Sequence, residues 1–218
     1  MTVTHTLADP RVEAALSRMF AHAAHDEATA ARVRAERPGD FGTPQEHADA
    51  AAEIYMPISA AGGPLLYNLI RAVRPATVIE FGTSFGISTL HLAAAVRDNG
   101  TGRVITTELN KHKIAAARRT FNETGLDDVI TVLEGDARET LSGIDGSADF
   151  VLLDGWKDLC LPVLRLLEPR MEPGTLVVAD DVDLSSLQPY LDYVRAPANG
   201  YQSVTFPVED GMEISCRL

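Results

Sequence analysis

The sequence predicts an α/β fold with a doubly wound, mostly parallel sheet, and three observations carry that reading. From Ala76 onward, short β-branched runs alternate with helical patterns, the order expected of parallel strands joined by crossover helices. Residues 77–91, T-V-I-E-F-G-T-S-F-G-I-S-T-L-H, form a strand, a glycine loop and a helix start, the Rossmann-like unit where a nucleotide-type cofactor docks. Five strands in succession then end at or just before an acid. At 218 residues the chain has room for one well-filled domain and a small helical addition. Residues 1–58 are expected to form an N-terminal helical extension, a roof or a dimer contact, and residues 59–218 the main domain.

Taken in order, residues 9–36 are rich in alanine and arginine, with Val12, Leu16, Met19 and Phe20 apolar, which suits one helix. The run R-P-G-D-F-G breaks it. Thr43 as N-cap, Pro44 at the first position and Glu46 closing a capping box start a second helix, expected to reach about Tyr55. Met56-Pro57-Ile58 interrupts, and Ser59 caps a further helix with Leu65, Leu66, Leu69, Ile70 and Val73 on one face, ended by Pro75. Parallel strands follow at residues 77–81, 103–107, 129–133, 150–153 and 176–179. Helices begin near Ile87, Lys111, Ala137, Gly155 and Leu184. Gly125 and Leu126 supply a Schellman stop, with Leu126 packing back on Phe121. Residues 201–206 and 212–217 flank P-V-E-D-G as an antiparallel hairpin that closes one edge of a seven-stranded sheet.

Composition excludes several classes. The 45% hydrophobic content is ordinary for a soluble globular protein, and a net charge of −12 argues against nucleic acid and anionic membranes as partners. The densest basic run, from Arg32 to Arg37, contains Glu36 and reads as a solvated helix face. Cys160 and Cys216 form neither a disulfide framework nor a metal-ligand spacing, as in a reducing compartment. The first residues lack a basic segment followed by a long apolar one, and no apolar run approaches 18 residues. A cytoplasmic protein is the expectation.

The chemistry lies at the strand ends, where an open α/β sheet binds its ligand. They carry Glu80, Glu108, Asp136, Asp154 and the pair Asp180-Asp181. Each acid alone has a structural reading as a turn residue or helix cap, and Asp183 is read as the cap of the last helix. Acids on all five strand ends suit a ligand with hydroxyls, amino groups and a positive centre, with a divalent cation in addition. The loop is G-x-x-x-G, neither G-x-G-x-x-G nor followed by G-K-[ST], so it is no phosphate cradle. Glu108 follows it by roughly 20 residues, where a carboxylate grips ribose hydroxyls in NAD and S-adenosylmethionine sites alike. The glycine pattern and the acidic edge favour S-adenosylmethionine. Ser88 is placed to bind the cofactor's carboxylate, or is an ordinary helix-start serine. Asp154, Asp180 and Asp181 come from adjacent strand ends, and three like charges call for protons or a hard cation such as Mg2+. Lys157, three residues past Asp154, is a candidate base whose pKa near a cation falls from about 10.4; a solvated surface lysine is the bland alternative.

V-I-E-F-G-T-S-F-G-I-S, I-T-T-E-L-N, D-F-V-L-L-D-G-W-K-D, T-L-V-V-A-D-D-V and the hairpin F-P-V-E-D-G-M-E-I-S-C-R-L resemble the catechol and caffeoyl-CoA O-methyltransferase group of S-adenosylmethionine enzymes. The resemblance covers roughly residues 50–218. It implies methyl transfer, dependent on S-adenosylmethionine and a divalent metal, to a hydroxyl of a small phenolic or catechol-like molecule, in a homodimer. On the matching positions, Met56, Ile58, Glu80, Gly82, Thr83, Ser84, Gly86, Ser88, Glu108, Leu109, Asp136, Ala137, Asp154 and Trp156 would surround the cofactor. Asp154, Asp180 and Asp181 would hold Mg2+ or another divalent cation, with Lys157 as base and Asp154 beside it in catalysis. Two departures stand out. The third metal position is Asp181 where the group has Asn, and Val204 stands where catechol enzymes hold the second hydroxyl with a glutamate. The competing readings are a metal-independent small-molecule methyltransferase and a non-catalytic S-adenosylmethionine-binding module. A tRNA-modifying enzyme sits badly with the negative charge, and a nicotinamide dehydrogenase lacks its glycine signature.

Overall fold

The computed structural model describes residues 5–36, 42–208 and 210–218. Its strands are β1 (Thr77–Phe81), β2 (Arg103–Glu108), β3 (Ile130–Glu134), β4 (Phe150–Leu153), β5 (Leu176–Ala179), β6 (Tyr201–Phe206) and β7 (Met212–Arg217). They form one seven-stranded sheet in the order β3-β2-β1-β4-β5-β7-β6. Pairs β1–β2, β1–β4, β2–β3 and β4–β5 are parallel, and β7 is antiparallel to both β5 and β6. The order reverses between β1 and β4, the switch point at which such sheets open a crevice. T-V-I-E-F and F-V-L-L are buried along their whole length, as central strands covered on both faces must be.

The helices are α1 (Pro10–Ala23), α2 (Asp26–Glu36), α3 (Pro44–Ala50), α4 (Gly62–Val73), α5 (Ile87–Asn99), α6 (Lys111–Thr124), α7 (Ala137–Thr140), α8 (Cys160–Leu167) and α9 (Gln188–Arg195). Alternation along each strand sends neighbours to opposite cores. Val78, Phe150 and Leu152 pack with Val12, Leu66, Ile70, Leu90 and Phe121 on the side of α1, α4, α5 and α6. Ile79, Phe81, Val151 and Leu153 pack with Leu141, Cys160, Leu164 and Tyr190 on the side of α7, α8 and α9. Cys160 and Cys216 are free thiols. Among the described residues no helix is long and apolar enough to cross a membrane.

Several local expectations hold. Thr43 and Glu46 form the capping box, and the Leu126 N–H donates to the Phe121 carbonyl at 3.0 Å beyond left-handed Gly125. Ser59 Oγ accepts from the Gly62 N–H at 2.8 Å, although the N-cap position itself is Ala61, which has no side-chain cap, and α4 ends at left-handed Arg74, before Pro75. β2 runs one residue further than expected and β3 is shifted by one.

Others need correction. Residues 9–36 form two helices, because Asp26 starts α2 and its carboxylate accepts the N–H groups of Tyr55 and Met56 at 2.9 and 2.8 Å. The same tie ends α3 at Ala50 instead of near Tyr55, and Met56 takes a left-handed φ of 44°. After β4 the chain stays extended at Trp156, makes a 3-10 turn over Lys157–Leu159 and enters α8 only at Cys160. Asp183 caps nothing: a 3-10 turn over Ser185–Leu187 leads into α9, and neither start has a side-chain cap. The break at R-P-G-D-F-G lies, except for Gly42, outside the described residues, as does Glu209 of the hairpin turn.

Phe121 ties α6 to the glycine loop: a Cβ on Gly86 would lie 2.6 Å from its ring, and the ring is 2% exposed. Phe121→Ala is expected to cost about 3–5 kcal/mol of stability, read from the urea-unfolding midpoint.

Candidate active site

A cavity of about 660 Å3 opens outside the carboxyl ends of the parallel strands. Of the cofactor-binding positions expected from sequence, all line it except Glu80 and Gly86. The glycine loop owes its shape to crowding. At Gly82, φ is 101°, and a Cβ there would fall 2.7 Å from the Gly155 nitrogen. Ser84 is left-handed at φ 48°, held by its N–H to Glu108 Oε2 at 2.8 Å and by its hydroxyl to the Tyr55 carbonyl at 2.6 Å. Thr83 donates its N–H to the Thr107 carbonyl at 2.9 Å, and its hydroxyl pairs with that of Thr106.

Glu80 lies fully buried behind this loop. Its Oε2 accepts from Thr89 Oγ1 at 2.5 Å and Thr106 Oγ1 at 2.6 Å, while Oε1 has no partner among the described residues. Burial pushes the carboxyl up to about 7, against the pull of the Ser88, Thr106 and Thr89 hydroxyls. Ser88 lines the cavity, and its hydroxyl is one of those that pull on this carboxyl. An orphaned buried acceptor beside a cavity-lining hydroxyl fits the ammonium and carboxylate of an amino-acid-bearing cofactor.

At the other end of the loop, Glu108 Oε1 accepts from the N–H groups of Leu109 and Asn110 at 2.9 and 2.8 Å. These bonds and that of Ser84 fix its carboxylate at the cavity wall, with lone pairs left for ribose hydroxyls. Asp136 also lines the cavity, but it caps α7 through the Arg138 N–H at 2.8 Å, and the Arg138 guanidinium holds it below the usual carboxylate range. Trp156 stacks on His47 of α3, ring centres 3.7 Å apart and 9° from parallel.

Oxygens of Asp154, Asp180 and Asp181 all lie within 4.8 Å of one another. Asp181 takes a left-handed φ of 57°, a conformation that Asp and Asn tolerate best among non-glycine residues. Lys157 Nζ sits 3.0 Å from Asp154 Oδ1 and 3.0 Å from Asp181 Oδ2. Burial pushes Asp154 up, with Lys157 opposing, and raises Asp180 to about 7, helped by its two acidic neighbours. Burial alone would lower Lys157, but the carboxylates of Asp154 and Asp181 outweigh it and hold the ammonium above its ordinary range. With its side chain only 9% exposed, Lys157 is no surface lysine. The expected fall in its pKa belongs to a cluster that holds a cation; in the chain alone the shift is upward. Three crowded carboxylates with one ammonium among them fit a hard divalent cation.

Sequence reasoning missed His47, Tyr55, Phe85 and Lys113, all of which line the cavity. Only Lys113 carried a signal, since it falls on the buried stripe of α6 with Ile114, Ala117 and Phe121.

Glu80 makes the ligand-free chain sensitive to pH. Its carboxyl is raised from an ordinary 4.5 to about 7, so the folded chain keeps a proton that the unfolded chain loses. Stability should fall as pH rises through this window, by up to roughly 3 kcal/mol. Glu80→Gln is expected to flatten that part of the profile; urea unfolding of both proteins from pH 5 to pH 8, as a difference of profiles, isolates Glu80 from the aspartates.

Comparison with known proteins agrees with this geometry. A methyltransferase domain family matches residues 79–182. The chain is 32% identical over 171 residues to catechol O-methyltransferase B of Danio rerio, covering 72% of this chain and 63% of that one. It is 33% identical over 144 residues to a probable O-methyltransferase of Mycobacterium tuberculosis, covering 61% of this chain and 60% of that one. The chain thus spans somewhat less than two thirds of these curated relatives. Its fold matches that of a putative O-methyltransferase from Klebsiella pneumoniae, with a TM-score of 0.69 and 20% identity over 90% of this chain and 99% of that one. It also matches an O-methyltransferase from Bacillus cereus solved with SAH, with a TM-score of 0.68 and 16% identity over 92% and 100%. The chain thus carries a methyltransferase domain, is similar to O-methyltransferases that include a catechol O-methyltransferase, and has the fold of solved O-methyltransferases.

Proposed function

We propose that this chain moves a methyl group from S-adenosylmethionine to a hydroxyl of a small phenolic or catechol-like molecule, with a divalent cation held by Asp154, Asp180 and Asp181. The observation that carries the reading is that this acid cluster and its lysine line the same cavity as the glycine loop. The cofactor would supply a methyl on a sulfonium, so attack by the acceptor oxygen forms a C–O bond, breaks the C–S bond and leaves its electrons on sulfur. A divalent cation at the acid cluster would lower a phenol's pKa from about 10.

The chain's own groups do the rest. Glu80 and Ser88 orient the amino-acid end of the cofactor, and Glu108 its ribose. Lys157 Nζ takes the acceptor's proton. Its ammonium is sustained by Asp154 and Asp181 at 3.0 Å each, so engaging those carboxylates elsewhere leaves burial as the main influence, and Nζ releases a proton to solvent before it accepts that of the substrate. Met56 and Leu184, 44% and 50% exposed, stand with Trp156 around the cavity as apolar surfaces for a flat ring. Val204 is 60% exposed on β6 and outside the cavity lining, so no carboxylate from that strand takes a second hydroxyl.

The test is methyl transfer from S-adenosylmethionine to a panel of phenols and catechols, read as a mass gain, with EDTA and with added Mg2+. EDTA should abolish turnover and Mg2+ restore it. Lys157→Met should lower kcat by about 10²–10⁴-fold while S-adenosylhomocysteine binding persists. Undiminished turnover in EDTA sinks the metal role, and cofactor binding with no transfer to any acceptor favours a binding module.

A further inference from the structure

Lys113 is a buried cation for which the proposed chemistry has no use. It sits in the first turn of α6, where its backbone N–H donates to Asn110 Oδ1 at 3.0 Å. Its side chain runs under the glycine loop and is 2% exposed, yet it lines the cavity. Nζ donates to Ser84 Oγ at 3.1 Å and lies 5.5 Å from the centre of the Phe85 ring. Among the described residues it makes no ion pair, unlike Lys157 with its two carboxylates. The helix start it occupies carries positive partial charge, which adds to the cost. Burial lowers its pKa to about 8, with the more distant Glu108 and Asp26 opposing. Buried ammonium groups are kept where something engages them.

What is missing is an acceptor on the cavity side. An ammonium has three N–H groups, and Ser84 Oγ takes one. Ser84 is also bonded through its N–H to Glu108, so the carboxylate and the ammonium attach to the same loop residue. A pair of adjacent hydroxyls suits that arrangement. One donates to the carboxylate, and the other offers its oxygen to the ammonium.

We propose that Lys113 is a cofactor-binding residue that donates from Nζ to a ribose hydroxyl oxygen of the nucleoside held by Glu108. The inference rests on the reading of this cavity as an S-adenosylmethionine site. It names a contact that the glycine loop and the strand-end acids do not supply.

The experiment is calorimetric titration of the wild-type chain and Lys113→Met with S-adenosylhomocysteine and its 2′-deoxy and 3′-deoxy analogues, beside thermal melting of both proteins without ligand. Methionine keeps the length and apolar stem of lysine without the charge, so the variant should melt at or above the wild-type temperature. Its affinity for S-adenosylhomocysteine should fall about 10- to 100-fold. One deoxy analogue should bind the wild type weakly, and the variant should no longer distinguish it from the parent ligand. Equal affinity of the two proteins for S-adenosylhomocysteine overturns the proposal and leaves the cofactor site standing. An equal loss for all three ligands also overturns it, since the lysine would then only hold the loop. If the wild type binds none of them, the cofactor reading falls and takes this inference with it.

Discussion

The arrangement of the whole site depends on how closely the chain leaving β1 approaches the chain leaving β4. A Cβ on Gly82 would meet the Gly155 nitrogen at 2.7 Å and the Asp154 carbonyl oxygen at 2.8 Å, and one on Gly155 would meet the Phe81 ring at 2.5 Å. At Gly82 the opposing atoms are backbone and φ is 101°, so the position needs glycine, and at Gly155 the buried Phe81 ring would have to move to admit a side chain. Phe81 pairs with Leu153, and the Asp154 N–H continues the ladder to the Phe81 carbonyl at 2.9 Å. The two loops therefore start side by side at the switch point of the sheet. One turns toward β2 and Glu108, and the other toward β5 and the aspartate pair. Any side chain between them would part the cofactor loop from the acid cluster.

The acids on this edge share a location and differ in state, because each has a different surrounding. Asp136 is satisfied by a helix start and a guanidinium, and stays ionised. Glu108 is fixed by three backbone N–H groups from two segments and serves as a rigid edge of the cavity. Glu80 is half satisfied, with hydroxyls on one oxygen and nothing on the other, so burial dominates and its carboxyl is raised. In the aspartate cluster like charges add to burial. The edge is thus less uniformly negative than its strand-end acids suggest: a guanidinium keeps Asp136 charged, while burial favours the protonated carboxyl at Glu80 and Asp180.

The sequence was most legible where burial and backbone chemistry are local. The bounds of β1, β4, β5, β6 and β7 match the expected residues because β-branched or aromatic runs meet glycine, proline or acid there. The capping box and the Schellman stop are likewise written in neighbouring residues. What was not legible is long-range. The split between α1 and α2, the early end of α3 and the turn at Met56 all trace to one carboxylate, Asp26, reaching Tyr55 and Met56 some thirty positions away. Periodicity has no way of registering such a bond. The cavity wall formed by His47, Tyr55 and Phe85 was missed for the same reason: Tyr55 and Phe85 stack with ring centres 4.0 Å apart, and His47 finds Trp156, only once the N-terminal segment folds over the sheet edge. Lys157 was placed correctly beside Asp154, but its state follows from Asp181, which belongs to another strand.

Lys113 and Lys157 show why residue type alone does not assign a role. Both are nearly buried, both line the cavity, and burial pulls both downward. At Lys157 two carboxylates at 3.0 Å reverse the shift, so the ammonium serves as the cluster's own counter-cation. On the proposed function it would give up that charge only when the carboxylates are engaged by something else, which would couple proton acceptance to occupancy of the acid cluster. At Lys113 a hydroxyl and an aromatic ring offer too little to reverse the shift, and the helix start works against the charge. An ammonium in that position is stabilised by new acceptors rather than by existing anions. One lysine is thus set to respond to what binds among the aspartates, and the other to what binds beside Glu108. The two ends of the cavity are tuned by the same force, desolvation, with opposite outcomes decided by whether a carboxylate lies within reach.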